Sequence, residues 1–96
     1  SSGYNVAAPE VENALLLHPA VAECAVIGLP DEERGMVVAA YVVLMNGFVG
    51  SDQLRKELQD HVKETIVPFK YPRVLDFVEA LPKTTTGKLQ RFRLKS

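Results

Sequence analysis

Ninety-six residues make one domain, 1–96, able to bury a core but small enough for modest stability. Hydrophobic residues make up 47% and charged residues 24%, which is ordinary globular composition. No apolar run approaches the roughly 18 residues of a membrane helix, and the single cysteine, Cys24, excludes an internal disulfide.

Cys24 sits in an apolar run and reads as a buried, inert thiol in a reducing, cytoplasmic setting. No signal peptide is visible. The net charge of −1 hides an asymmetry. Residues 1–50 carry one base, Arg34, against six acids; residues 51–96 carry ten bases against six acids. From Lys83 onward there are five bases and no acid. A basic terminal segment points to a polyanion: a nucleotide, a nucleic acid or a membrane surface.

Ser1–Asn5 reads as a loop. Pro9 suits the first turn of a helix, where its missing N–H is not needed, and Glu10 and Glu12 complement the positive helix end. Val11, Ala14 and Leu15 keep helical spacing, and Leu16 and Leu17 widen that face. His18-Pro19 stops the helix, with His18 favoured by the helix C-terminus. Val21–Leu29 reads as a strand, apolar on both faces, with Val21, Ala25 and Ile27 on one and Ala22, Cys24 and Val26 on the other. Gly28–Gly35 is a turn-rich connection, and Met36–Leu44 is a second strand, antiparallel to the first.

Ser51 is an N-cap, and Leu54, Leu58, Val62 and Ile66 give one stripe of an amphipathic helix that Pro68 ends. His61 borders the stripe as a structural residue. Phe69–Arg73 is a basic-aromatic link. Val74–Ala80 is a third strand, with Asp76 and Glu79 suggesting an edge or an exposed face; its pairing direction stays open. Leu89–Leu94 reads as a short helix. The order α-β-β-α-β-loop-short α predicts an α+β domain, a three-stranded sheet with packed helices. No zinc spacing, Rossmann fingerprint or His/Ser/Asp constellation is present, and no residue is assigned to a metal.

Leu81–Arg91 is a polar stretch with a Gly-Lys pair that no core requires. Gly87 permits positive φ, the threonines offer hydroxyls, and Lys88 places a compact charge on a flexible stem. On these residues alone, a solvated loop with a surface lysine remains a full explanation. A P-loop is excluded, because Pro82 stands where the first glycine belongs and Leu89 replaces the Mg²⁺-binding hydroxyl.

Pro82-Lys83-Thr84-x-x-Gly87-Lys88, after an apolar strand and Leu81, closely resembles the C-terminal signature of the adenylate-forming enzymes. These are the acyl- and aryl-CoA synthetases, luciferases and peptide-synthetase adenylation domains. Ser2-Gly3-Tyr4-Asn5-Val6 and the strand–Gly28-x-Pro30-Asp31-x-x-x-Gly35–strand pattern are similar to the same family. The resemblance covers nearly all of the chain. It implies the small C-terminal domain of an acid–CoA ligase, partnered by its own N-terminal domain, which would hold ATP, Mg²⁺ and the carboxylic acid.

The resemblance further implies residue roles. Lys88 matches the lysine of the adenylation step, with Thr84, Thr86 and Gly87 supporting its loop. Gly3 and Tyr4 match the segment that meets the pantetheine arm of coenzyme A once the small domain has turned. Arg34, Lys70, Tyr71 and Arg73 match positions that hold the CoA nucleotide; Phe69 reads as packing. The alternatives are the lid of a peptide-synthetase or luciferase-like enzyme and a stand-alone polyanion-binding module. The latter is disfavoured by a pI of about 6 and little aromatic interleaving, so no nucleic acid is expected as partner.

Overall fold

The structure, a computed structural model, describes residues 2–33, 35–66 and 71–94, with the backbone alone described for residues 2–7. The elements are α1 (Ser2–Leu16), β1 (Val21–Asp31), β2 (Gly35–Leu44), α2 (Asp52–Thr65), β3 (Val74–Phe77) and a final 3-10 turn (Arg91–Arg93). The α+β class and the element order are as the sequence predicts.

The start of α1 differs from that expectation. The residues read as a loop are helical from Ser2, and Pro9 lies inside the helix instead of at its first turn. Proline there forfeits only one backbone hydrogen bond, and Ala7 and Ala8 are strong helix formers that favour the extension. Val11, Ala14 and Leu15 are buried as their spacing requires, but Leu16 and Leu17 are exposed rather than widening the face. Leu16 is the last helical residue, and Leu17 N and His18 N turn back to the Ala14 and Leu15 carbonyls at 3.2 and 3.0 Å. Leu16 stands about 100° round the helix from buried Leu15, off the core face, and Leu17 lies in the turn beyond the helix.

β1 and β2 pair antiparallel from Val21↔Leu44 to Asp31↔Gly35, with an irregularity between Val21 and Glu23. That extra residue moves Val21 onto the face of Cys24 and Val26, where all three join the core, instead of the face of Ala25. β1 also runs two residues beyond its predicted end, through Pro30 to Asp31. Proline is tolerated because β1 is an edge strand in the order β1-β2-β3.

β3 is parallel to β2, Ala39↔Val74 to Val42↔Phe77, and α2 forms the crossover that parallel pairing demands. β3 ends at Phe77, short of the predicted Ala80: Val78 N makes a last bond to Val42 O at 2.9 Å, and Glu79 and Ala80 turn to solvent.

The core lies between the two helices and one face of the sheet. Val11, Leu15, Val26, Val42, Leu58, Val62 and Leu75 are its fully buried members, each worth about 1.5–3 kcal/mol in removed apolar surface. Ser51 caps α2 through its hydroxyl, which accepts from Leu54 N at 3.0 Å. Gly50 is required by contact: a Cβ there would stand 2.7 Å from Phe77 Cδ2.

The two histidines join the helices. His18 Nδ1 accepts from Ala20 N at 3.1 Å, so its Nε2 carries the proton donated to Glu57 at 2.7 Å. His61 Nε2 donates to the Ala14 carbonyl at 2.7 Å, and the rings meet edge-on at 5.3 Å. His18 thus lies just past α1 and ties it to α2.

Candidate functional site

Beyond β3 the chain returns across the sheet to the β1 edge and folds into a tight hairpin. Lys83 and Leu89 form an antiparallel bridge, and Thr84 N donates to Lys88 O at 2.8 Å. Gln90 N donates to Pro82 O and Gly87 N to Thr84 O, both at 2.9 Å. Gly87 has φ +90°, the left-handed residue that closes a three-residue hairpin loop.

The threonines act inside this turn. Thr84 Oγ1 accepts from Lys88 N at 3.0 Å and lies 3.0 Å from Thr86 Oγ1. Thr84, Thr86 and Gly87, picked from the sequence as loop support, are therefore brought together around the Lys88 backbone.

Three cations flank this turn, and their states differ. Lys83 Nζ pairs with Glu23 of β1 at 2.7 Å. Arg91 Nη2 reaches both carboxylate oxygens of Glu12 at 2.9 and 2.7 Å. Lys88 is exposed at the hairpin tip and makes no side-chain hydrogen bond or ion pair with the described residues.

A second group of cations stands before β3, at the other edge of the sheet. Lys63 Nζ lies 4.3 Å from the centroid of the Tyr71 ring and Arg73 Cζ lies 5.0 Å from it. Arg73 Nη1 also donates to Tyr71 Oη at 2.9 Å. α2 fixes this link: Gln59 Nε2 donates to Pro72 O at 2.9 Å and Arg55 Nε donates to Leu75 O at 2.8 Å.

Two cations on one ring are ordered by its quadrupole, yet their like charges favour an anion between them. Tyr71 and Arg73, two of the residues matched to the CoA side, are thus in contact. Lys63 was missed, because on a helical wheel it belongs to the solvated face of α2. Its spacing gives no sign that the chain beyond Pro68 folds back against it.

Arg34, Phe69 and Lys70 lie outside the described residues. Gly3 and Tyr4 belong by backbone to the first turn of α1, and the surroundings of their side chains are likewise outside the description.

Cys24 is half-buried, with its thiol facing the Glu12 carbonyl at 3.5 Å. Burial pushes its thiol up from 9.0 to about 12, the Glu12 carboxylate adds to the rise, and Arg91 partly offsets it. A groove of about 510 Å³ beside His18, Glu57 and His61 is open and polar. Among the described residues, no group of His, Cys, Asp or Glu is arranged to hold a metal ion, and no helix is long and apolar enough to cross a membrane.

A three-stranded mixed sheet under two helices, closed by a Gly-Lys hairpin, defines a class already known: the chain belongs to the AMP-binding enzyme C-terminal domain family, whose model matches residues 10–88. It is 58% identical, over 97 aligned residues and 99% of its length, to the mitochondrial acyl-coenzyme A synthetase ACSM2A of Homo sapiens, of which it covers 17%. It is 55% identical over 95 residues to the uncharacterized acyl–CoA ligase YtcI of Bacillus subtilis, covering 99% of this chain and 18% of that one. Among solved structures, the acyl-CoA synthetase of Brucella canis matches with a TM-score of 0.86 and 53% identity, over 88% of this chain and 16% of that one. The chain therefore spans under a fifth of the length of these relatives.

Proposed function

We propose that this domain is the catalytic lid of an ATP-dependent carboxylic acid–CoA ligase, working with a large N-terminal domain of the same protein in a reducing compartment such as the cytoplasm. The observation that carries the reading is the hairpin itself. Three backbone hydrogen bonds and the Thr84 hydroxyl hold one lysine outward while its two cationic neighbours are engaged by carboxylates.

In the first half-reaction, a carboxylate oxygen of the acid attacks the α-phosphorus of ATP. The P–O bond to pyrophosphate breaks, leaving acyl-adenylate and pyrophosphate. Two anions must meet, and Lys88 reduces their repulsion and helps to align the attack. In the second, the CoA thiolate attacks the acyl carbon and AMP leaves with the electrons of the broken C–O bond. Mg²⁺ belongs, on this reading, with the triphosphate in the large domain; the described residues offer it no ligand set, and no step here passes through it.

The Tyr71 cluster serves the second half-reaction. Lys63 and Arg73 already lie against the ring, so the cluster offers two oriented charges for CoA phosphates, with Tyr71 as their platform. Gly3, Tyr4, Arg34 and Lys70 complete the CoA side. The pocket that selects the acid is placed in the large domain.

The test uses the full-length parent protein, wild type and Lys88→Ala, with a panel of carboxylic acids. ATP–pyrophosphate exchange reports adenylation, and thioester formation from supplied acyl-adenylate reports the second step. Loss of exchange with thioester formation retained supports the reading. Unchanged exchange overturns the role of Lys88. Adenylate that is never passed to CoA moves the parent to the peptide-synthetase or luciferase-like branch.

A further inference from the structure

We infer that Glu12 is a positioning residue for the adenylation step: by holding Arg91 it fixes, through the Lys83–Arg91 hairpin, where the Lys88 ammonium stands. The inference rests on the reading of Lys88 given above.

Three parts of the fold meet at the Glu12 carboxylate. Oε2 accepts the Val26 N–H of β1 at 2.8 Å and Arg91 Nη2 at 2.7 Å, while Oε1 takes the same nitrogen at 2.9 Å. The Glu12 backbone carbonyl also faces the Cys24 thiol at 3.5 Å. α1, β1 and the terminal segment are thereby joined at one side chain only 16% exposed.

Arg91 lies three residues beyond Lys88. Between them, Leu89 bridges to Lys83 and Gln90 bonds to Pro82, so the backbone has little freedom to absorb a shift. The other attachment of the hairpin, Lys83 to Glu23, joins side chains 40% and 47% exposed. An exposed single-contact pair of this kind is weak and screened by salt. In the Arg91–Glu12 contact Arg91 is 46% exposed, but Glu12 is only 16% exposed and is tied to a strand amide, which makes it the firmer anchor. Without it, the hairpin keeps its internal bonds but loses its register against the sheet, and a displacement near 1 Å of a reacting group can cost about 10²-fold in rate.

The test uses the full-length parent protein with Glu12→Gln, Arg91→Met, Arg91→Lys and the Glu12→Gln/Arg91→Met double variant. Glu12→Gln retains an acceptor for Val26 N–H, removes the charge and replaces the other oxygen with an NH₂ that cannot accept from Arg91. The expected result is a fall of about 10- to 100-fold in the adenylation kcat for Glu12→Gln and for Arg91→Met. KM for ATP and acid should hold, and thioester formation from supplied acyl-adenylate should stay at the parental rate. The double variant should be no slower than Arg91→Met, since both remove one contact, and Arg91→Lys should recover much of the loss.

Equal losses in both half-reactions would reduce Glu12 to a structural residue, and unchanged adenylation would remove it from the reaction; either overturns the inference. Lys88→Ala run alongside separates the two readings. If that variant loses adenylation and Glu12→Gln does not, only the positioning role fails. If Lys88→Ala itself is unaffected, the assignment of Lys88 fails first.

Discussion

Two sets of cations stand at opposite edges of one small sheet, and they are held by different means. At the β1 edge, Lys88 is carried by backbone hydrogen bonds and a left-handed glycine, with its neighbours engaged by Glu12 and Glu23. At the β3 edge, Lys63 of α2 and Arg73 share an aromatic ring, Lys63 also stands 3.8 Å from the Asp60 carboxylate, and Gln59 of α2 holds the chain beneath the ring. A backbone-held single charge suits a step in which geometry sets the rate. A pair of side-chain charges suits recognition of a flexible polyphosphate, where affinity matters more than ångström placement. The difference teaches that one small sheet can present two kinds of cationic site, and on the proposed function it assigns chemistry to one edge and binding to the other.

The largest expected effect tests that division directly. Lys88→Ala should lower ATP–pyrophosphate exchange by roughly 10²–10³, the cost of losing one aligned charge in a dry site, and leave thioester formation from supplied adenylate nearly intact. If both steps fell together, the two edges would not be separable.

Lys63→Met, with Tyr71→Leu alongside, is the mirror experiment. Each should raise KM for CoA about tenfold, the worth of one charged contact, without altering adenylation.

Gly87→Ala probes how far the hairpin's geometry matters. A Cβ at this position meets nothing within 4 Å, so the cost is the left-handed backbone alone. That is about 1–2 kcal/mol, or close to tenfold in adenylation, with CoA binding unmoved.

The smallest effect is on pH dependence. The Cys24 thiol is raised to about 12 in the folded chain against 9.0 ordinarily, so on alkaline titration the unfolded chain loses its proton first. The stability this provides is intact below about pH 9 and is lost as pH climbs toward 12. Cys24→Ala should flatten the alkaline limb of a denaturant-unfolding series. Arg91→Met should push the thiol higher and Glu12→Gln should let it fall, which makes thiol labelling a reporter of the β1 edge alone.

Much of this fold was legible in the residues because local chemistry decided it. Ser51 and the Leu54–Leu58–Val62 stripe mark α2 and its core face, and the apolar runs on either side of Asp31–Gly35 mark the β1–β2 hairpin. The direction of β3 was not decidable, because packing sets whether it lies beside β1 or β2; beside β2, with α2 as the crossover, it is parallel. Other features needed tertiary context. The extra residue near Ala22 that turns Val21 inward leaves no mark on an alternating apolar run. Pro9 and Pro30 signalled an element start and an element end where the fold accommodates them within a helix and on an edge strand.

At the site, Lys88 and its threonines stood out because the Gly-Lys signature lies within eleven residues. Lys63, Glu12 and Glu23 did not, because each acts on a partner at least eight residues away; Lys63 read as part of a solvated helix face and Glu12 as a charge complementing a helix start, whereas α1 begins at Ser2 and Glu12 lies within it.

Each outer strand of this sheet has a backbone group covered by a charged side chain. The Val26 amide is taken by the Glu12 carboxylate and the Leu75 carbonyl by the Arg55 guanidinium. A neighbouring chain seeking to add a fourth strand would have to displace a charged side chain on either side. Each outer strand thereby carries a charged guard on its free side, a built-in resistance to polymerising through the sheet's own edges.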